Sequence, residues 1–178
     1  MAHPKPLLMT VEEYYSLPKR DDVILELHWG QLVESSRPKT WHIDLQDRIA
    51  ELLKARCGRA WIVRVEMPFR AVPEYDLRAV DVGVVAKSRW DVALRGYLFG
   101  SPEIVIEVLS PSNRKKEIAD SMILLLSPGT KQYCLLDDEH RSLAVTGVDG
   151  NTTTYGLDDE VPFPLLNTSL KVSEIWAD

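Results

Sequence analysis

The sequence predicts an α/β fold in which helices pack on a sheet. Three observations carry that expectation. Residues 60–71, 79–86 and 103–109 are short apolar runs with strand periodicity. Residues 41–56 place apolar side chains at 41, 45, 49 and 52, one face of an amphipathic helix. The order of these pieces is helix, three strands, helix, strand, which suits helices layered on a sheet.

The elements follow in order. Thr10-Val-Glu-Glu-Tyr-Tyr15 reads as a short helix, with Thr10 as N-cap and Glu13 completing a capping box. Residues 24–34 hold two strand-like runs around Trp29-Gly30, a hairpin signal. After the polar loop at 35–39 comes the helix of 41–56, stopped near Gly58. The strands at 60–71 and 79–86 flank a turn through Pro73-Glu-Tyr-Asp76. Residues 87–102 read as an excursion containing Trp90, Tyr97 and Phe99. The nearly continuous apolar strand Glu103-Ile-Val-Ile-Glu-Val-Leu109 is broken by Ser110-Pro-Ser-Asn113, which caps a helix running to about Leu126. Ile118, Met122 and Leu125 form its expected buried side, and Pro128-Gly129 ends it. Strands are expected at 131–137, 142–146 and 152–155, the last after the Asp149-Gly-Asn151 turn.

Bulk properties narrow the function. A chain of 178 residues favours one domain, 1–178, with room for one sizeable core. No apolar run reaches the roughly 18 residues that span a bilayer, and the first residues lack a signal-peptide core, so the expectation is a cytoplasmic protein without membrane contact. Cys57 and Cys134 stand far apart in unrelated contexts and read as small buried apolar residues. The net charge of −6 excludes broad electrostatic capture of nucleic acid and confines any such contact to a local patch.

The chemistry lies in two carboxylates. Asp81 is flanked by Val80 and Val82, and Glu107 by Ile106 and Val108. A carboxylate buried in an apolar strand costs several kcal/mol, or stays protonated, unless it is compensated. Strand alternation places Asp81 with Gly83 and Val85, and Gly83 would leave open space over that face. If the strands are neighbours, the two carboxylates converge and call for a cation, and hard oxygen donors suit Mg²⁺ or Mn²⁺. The alternative is structural, with Glu107 paired to an Arg or Lys and Asp81 capping a turn.

Val80-Asp81 followed by Glu103-Ile-Val-Ile-Glu-Val-Leu-Ser-Pro-Ser-Asn113 resembles the PD-(D/E)XK nuclease superfamily, specifically the Uma-type "putative restriction endonuclease" family. The resemblance extends over Met9-Thr-Val-Glu-Glu-Tyr14, Glu26-Leu-His-Trp-Gly-Gln-Leu-Val-Glu34, Arg37-Pro-Lys39 with His42, residues 70–82, and Gly129-Thr-Lys-Gln-Tyr-Cys-Leu-Leu-Asp137. It implies a restriction-endonuclease-like core: a mixed central sheet flanked by helices, preceded by a helix and a hairpin. It further implies Asp81 and Glu107 as metal ligands, with the Val108 carbonyl completing the coordination. The implied activity is metal-dependent hydrolysis of DNA phosphodiesters.

The chain departs from the pattern at the lysine that such enzymes use to stabilise developing charge. Leu109 stands two residues after Glu107. Relatives carry the lysine on the following helix, where this chain has Ser121 within Ile118-Ala-Asp-Ser121. Arg114 shares a helical stripe with Ser121 and is a candidate substitute. Arg114-Lys-Lys116 reads either as a solvated helix end or as a phosphate contact. Ser121 therefore supports a second reading, a nuclease-fold protein that binds nucleic acid or a protein partner without cutting. His42 reads as a proton carrier facing the site, or as a polar residue at a helix start. Glu66 is a possible third carboxylate, though alternation favours a surface position. His3, His28 and His140 have no zinc spacing, and neither a Gly-x-Ser-x-Gly elbow nor a phosphate-cradling loop is present. A homodimer formed through Trp90, Tyr97 and Phe99 is a further expectation.

Overall fold

The computed structural model describes residues 8–18, 20, 22–35, 37–93, 96–110, 115–126 and 129–177, with the backbone alone at 115–117. The capping box forms as expected: the Thr10 side chain accepts from the Glu13 N–H and the Glu13 carboxylate accepts from the Thr10 N–H, starting α1 (Val11–Tyr15). Strands β1 (Ile24–His28) and β2 (Gln31–Ser35) make an antiparallel hairpin. Trp29 and Gly30 both take positive φ, 52° and 72°, as a two-residue turn between twisted strands requires.

Helix α2 (Thr40–Arg56) leads into β3 (Trp61–Arg70) and β4 (Arg78–Ala86). The excursion at 87–102 contains structure of its own, α3 (Lys87–Ala93) and the short β5 (Leu98–Phe99). Then come β6 (Ile104–Val108), α4 (Lys115–Leu126), β7 (Gln132–Asp137), β8 (Ser142–Gly147) and β9 (Thr152–Tyr155). A C-terminal hairpin, β10 (Glu160–Phe163) with β11 (Thr168–Lys171), was not read from the sequence because its apolar residues are sparse.

The main sheet has seven strands in the order β5-β3-β4-β6-β7-β8-β9. Pairs β3–β5 and β6–β7 are parallel and the others antiparallel, so the sheet is mixed. The parallel β6–β7 pair is joined by α4, as a crossover demands. One face is covered by α2 and the C-terminal hairpin, through Leu45, Ile49, Leu53, Phe163 and Leu170. The other is covered by α3 and α4, through Trp90, Met122 and Leu125. Burial on both faces explains why β4 and β6 are nearly continuous apolar runs.

Several expectations are displaced. The buried stripe of α2 is His42, Leu45, Gln46, Ile49, Ala50 and Leu53, with Trp41 and Leu52 half-buried beside it. All four predicted positions pack on the core, Leu45 and Ile49 buried and Trp41 and Leu52 half-buried, and the inward face widens to take in two polar residues, His42 and Gln46. In α4, Leu124 and Leu125 are buried, while Ile118 and Met122 are half-buried. Cys134 is buried, but Cys57, at the C-terminal end of α2, is half-exposed. No open space lies over Gly83: a Cβ there would meet the Met67 Sδ at 2.6 Å, so the Met67 side chain fills that volume. Arg114 lies outside the described residues, as do the side chains of Lys115 and Lys116.

Candidate functional site

The site begins with a defect shared by two strands. The β3–β4 ladder pairs Val65 with Val82 and then Met67 with Val80, skipping the rung between Glu66 and Asp81. Glu66 has φ 46°, a left-handed conformation that costs a non-glycine residue about 1–2 kcal/mol. Strict alternation would keep every odd residue of β3 on one face. Instead Val63 and Val65 pack toward α2, whereas Met67 and Phe69 pack toward α4. In β4 the same slip separates Val82 and Val84 from Val80. Both strands exchange faces at the Glu66–Asp81 rung.

A second ladder stops there too. Strands β4 and β6 pair through Val84–Ile104, Gly83–Val105 and Val82–Ile106. The next rung would set Asp81 opposite Glu107. Side chains replace the backbone bonds: the Val108 N–H donates to Asp81 Oδ2 at 2.7 Å, and the Asp81 N–H lies 3.5 Å from Glu107 Oε2. The neighbouring strands thus bring the two predicted carboxylates together, Asp81 reaching the Val108 backbone and Glu107 the Asp81 backbone.

Helix α2 supplies the roof. The Gln46 amide donates to Asp81 Oδ1 and Glu66 Oε1, each at 2.7 Å, and His42 Nε2 stands 3.1 Å from Asp81 Oδ2. Positions 42 and 46 are one helical turn apart, so both reach the same carboxylate. His42, in the first turn of α2, is buried and faces Asp81. Glu66 is exposed, as alternation favoured, yet its carboxylate joins the site through Gln46. Glu26 of β1 accepts from the Ala79 N–H at 2.8 Å and from His28 at 2.7 Å, bringing a fourth carboxylate to the start of β4.

Ser121 belongs to the same neighbourhood. It hydrogen-bonds Tyr133, whose hydroxyl also feels the charge of Glu107. Burial pushes the Tyr133 phenol far above its usual range, so it stays neutral. Val108 enters the site through its N–H.

The electrostatics are those of crowded acids. Burial pushes the Glu107 carboxyl well above its ordinary range, and the Asp81 charge pushes it the same way. Burial also raises Glu66, against the pull of Gln46. The hydrogen bond to Asp81 raises His42, favouring the imidazolium beside that carboxylate. Among the described side chains, no Lys or Arg forms an ion pair with Asp81 or Glu107; the Asp81 partner is His42. Nor, among them, do three His, Cys, Asp or Glu side chains converge as a ready-made metal group.

Sequence reasoning missed Gln46 and Glu26. A Gln in an amphipathic helix carries no signal of its own, and Glu26 is brought in by a hairpin whose docking only the tertiary structure shows. Its one available cue was the spacing Glu26-Leu-His28, which puts both side chains on one face of a strand.

A mixed sheet flanked by helices, with acidic residues where its central ladders part, defines a restriction-endonuclease-like fold. A crystal structure described as a "putative nuclease", from Anabaena variabilis, superposes with a TM-score of 0.79 over 94% of this chain and 97% of that one. At 19% identity the likeness establishes the fold. The family model described as "putative restriction endonuclease" (Uma2) matches residues 11–170, and the chain belongs to that family. No curated protein matches it.

Proposed function

We propose that the chain is a metal-dependent DNA endonuclease whose site is built on Asp81 and Glu107. The observation that carries this reading is the missing rung between those residues, where two carboxylates meet without an Arg or Lys partner among the described side chains. Family membership supports hydrolysis of phosphodiesters.

The donor set fits a hard divalent cation, because Asp81 and Glu107 bring carboxylate oxygens together on adjacent strands with no Lys or Arg ion-paired to them among the described side chains. Asp81 and Glu107 would hold Mg²⁺ or Mn²⁺, with the Val108 carbonyl as a further oxygen. When bound, the ion supplies charge neutralisation at the phosphodiester and an activated water. The protein's own residues do the rest. Gln46 orients Asp81 and ties Glu66 to it. His42 holds a proton at Nε2 against Asp81, whose hydrogen bond raises its pKa. Ser121 and Tyr133 offer hydroxyls on the α4 side, where the family resemblance implies a lysine.

The full chain should cleave linear or circular DNA in Mg²⁺ or Mn²⁺, and Asp81→Ala should abolish that cleavage. Absence of cleavage in both metals would overturn the proposal. Ser121 favours a second reading, a nuclease-fold protein that binds without cutting. Ser121→Lys separates the two: a large gain of activity identifies a competent site that had lost its lysine, whereas an already active wild type removes this second reading.

A further inference from the structure

Away from the carboxylates, one surface cluster takes no part in the function described above. Arg70, at the end of β3, lies over two rings: its guanidinium carbon is 5.8 Å from the Tyr97 centroid and 5.7 Å from that of Phe99. Tyr15 of α1 meets Tyr97 hydroxyl to hydroxyl, with ring centroids 6.3 Å apart. Tyr15 is 54% exposed and Phe99 56%, so substantial aromatic surface faces solvent. Two shallow pockets flank the Tyr15–Tyr97 pair, one against Tyr14 and Leu25, the other against Val92 and Phe99.

What sets the guanidinium at this cluster apart is its buried Nε, because Arg48, Arg59, Arg64 and Arg141 also form no carboxylate pair among the described residues. Arg20, Arg56, Arg78 and Arg89 each pair with a carboxylate. Arg70 has no carboxylate partner among the described residues, and its Nε is buried without a hydrogen bond. In a chain with 27 acidic residues against 21 Lys and Arg, an unpaired guanidinium held over ring faces is a disposition suited to an incoming anion.

The cluster also connects with the carboxylates. Tyr14 lies within electrostatic reach of both Glu26 and Tyr97, and Glu26 within reach of Glu66 and Glu107. Along β3, Arg70 is four residues from Glu66, roughly 13 Å at the strand rise.

The geometry points to a platform for unpaired nucleotides, on which bases stack against Phe99 and Tyr15 while Arg70 takes a backbone phosphate. Every base has a face that stacks on an aromatic ring, but the bases inside a duplex are already stacked on one another. Resting on the nuclease reading, the inference makes the substrate a single-stranded or frayed DNA segment rather than an intact duplex.

Fluorescence anisotropy of a labelled oligothymidylate, with the full wild-type chain in EDTA, tests it against a blunt duplex. The single strand should bind about tenfold or more tightly than the duplex. Phe99→Ala and Tyr15→Ala should each weaken single-strand binding about 5- to 150-fold, the span for stacked bases. Both are exposed positions, so the fold survives the change. Arg70→Lys, which keeps the charge but loses the planar group, should weaken binding less than Arg70→Ala. Equal affinity for the two DNA forms, or unchanged affinity in both aromatic variants, overturns the platform. Duplex cleavage without single-strand preference would also overturn it and leave the nuclease reading intact. Preferential single-strand binding that is lost in the aromatic variants, with no cleavage in either metal, would do the reverse.

Discussion

Glu107→Gln should stabilise the metal-free protein while removing its response to metal. Asp81 and Glu107 stand on adjacent strands at the rung after Val82–Ile106, so neighbouring-strand spacing sets their charges about 5 Å apart. At an effective dielectric of about 20, two full charges at that separation repel by roughly 3 kcal/mol. The wild type avoids part of this by keeping Glu107 protonated, so the gain on removing the charge is smaller, about 1–2 kcal/mol. For a chain of this size that corresponds to about 2–8 °C in Tm. The glutamine oxygen can still accept from the Asp81 N–H, so the local geometry survives. Thermal unfolding in EDTA near neutral pH measures the effect. Glu107 has a folded-state pKa above its unfolded value, so the stability tied to its proton is present at low pH and lost as pH rises. The advantage of the variant should therefore vanish in acid. Mn²⁺ should raise the wild-type Tm and leave that of the variant unchanged. A variant no more stable than wild type in EDTA at neutral pH would refute the reasoning.

Other outcomes follow from the same geometry. His42 should titrate above its ordinary range in EDTA, because Asp81 holds its proton; the stability from that pair is complete below about pH 6.5 and declines as pH rises through the folded-state value. NMR titration of the imidazole reads this directly, and Asp81→Asn should bring the value down. Arg78→Ala should cost about 3–5 kcal/mol in denaturant unfolding, since the fully buried Asp76 would lose both guanidinium bonds, each 2.7 Å long. Glu66→Gly should raise stability by about 1 kcal/mol by relieving the left-handed backbone at φ 46°, measured by urea unfolding. The proposed homodimer should appear in light scattering as twice the 20.2 kDa chain mass. Trp90 is half-buried in the core and Tyr97 is engaged by Arg70 and Tyr15, leaving Phe99 as the most exposed of the three residues expected at that interface.

Much of the framework was legible without the structure, for local reasons. The capping box at Thr10 and Glu13, the Trp29-Gly30 turn and the apolar runs of β4 and β6 depend on neighbours in sequence, so composition and spacing reveal them. The presence of Asp81 and Glu107 inside those runs was legible too, since a charge between valines is conspicuous wherever the strands finally lie. Membership of the nuclease family followed from the same segments. Three things had no local signature. The face exchange at Glu66 and Asp81 breaks the period-2 rule on which strand reading rests, so alternation assigned Gly83 an open face that Met67 in fact fills. The polar residues on the inward face of α2 hid Gln46. The docking of Glu26 and the meeting of Tyr15 with Tyr97 join residues distant in sequence. The sequence by itself determined which residues carry the charge and which elements hold them. Tertiary structure alone decided that Asp81 and Glu107 meet across a missing rung beneath His42 and Gln46. Strand register and helix docking are settled by the packing of both sheet faces at once, and no single segment contains that information.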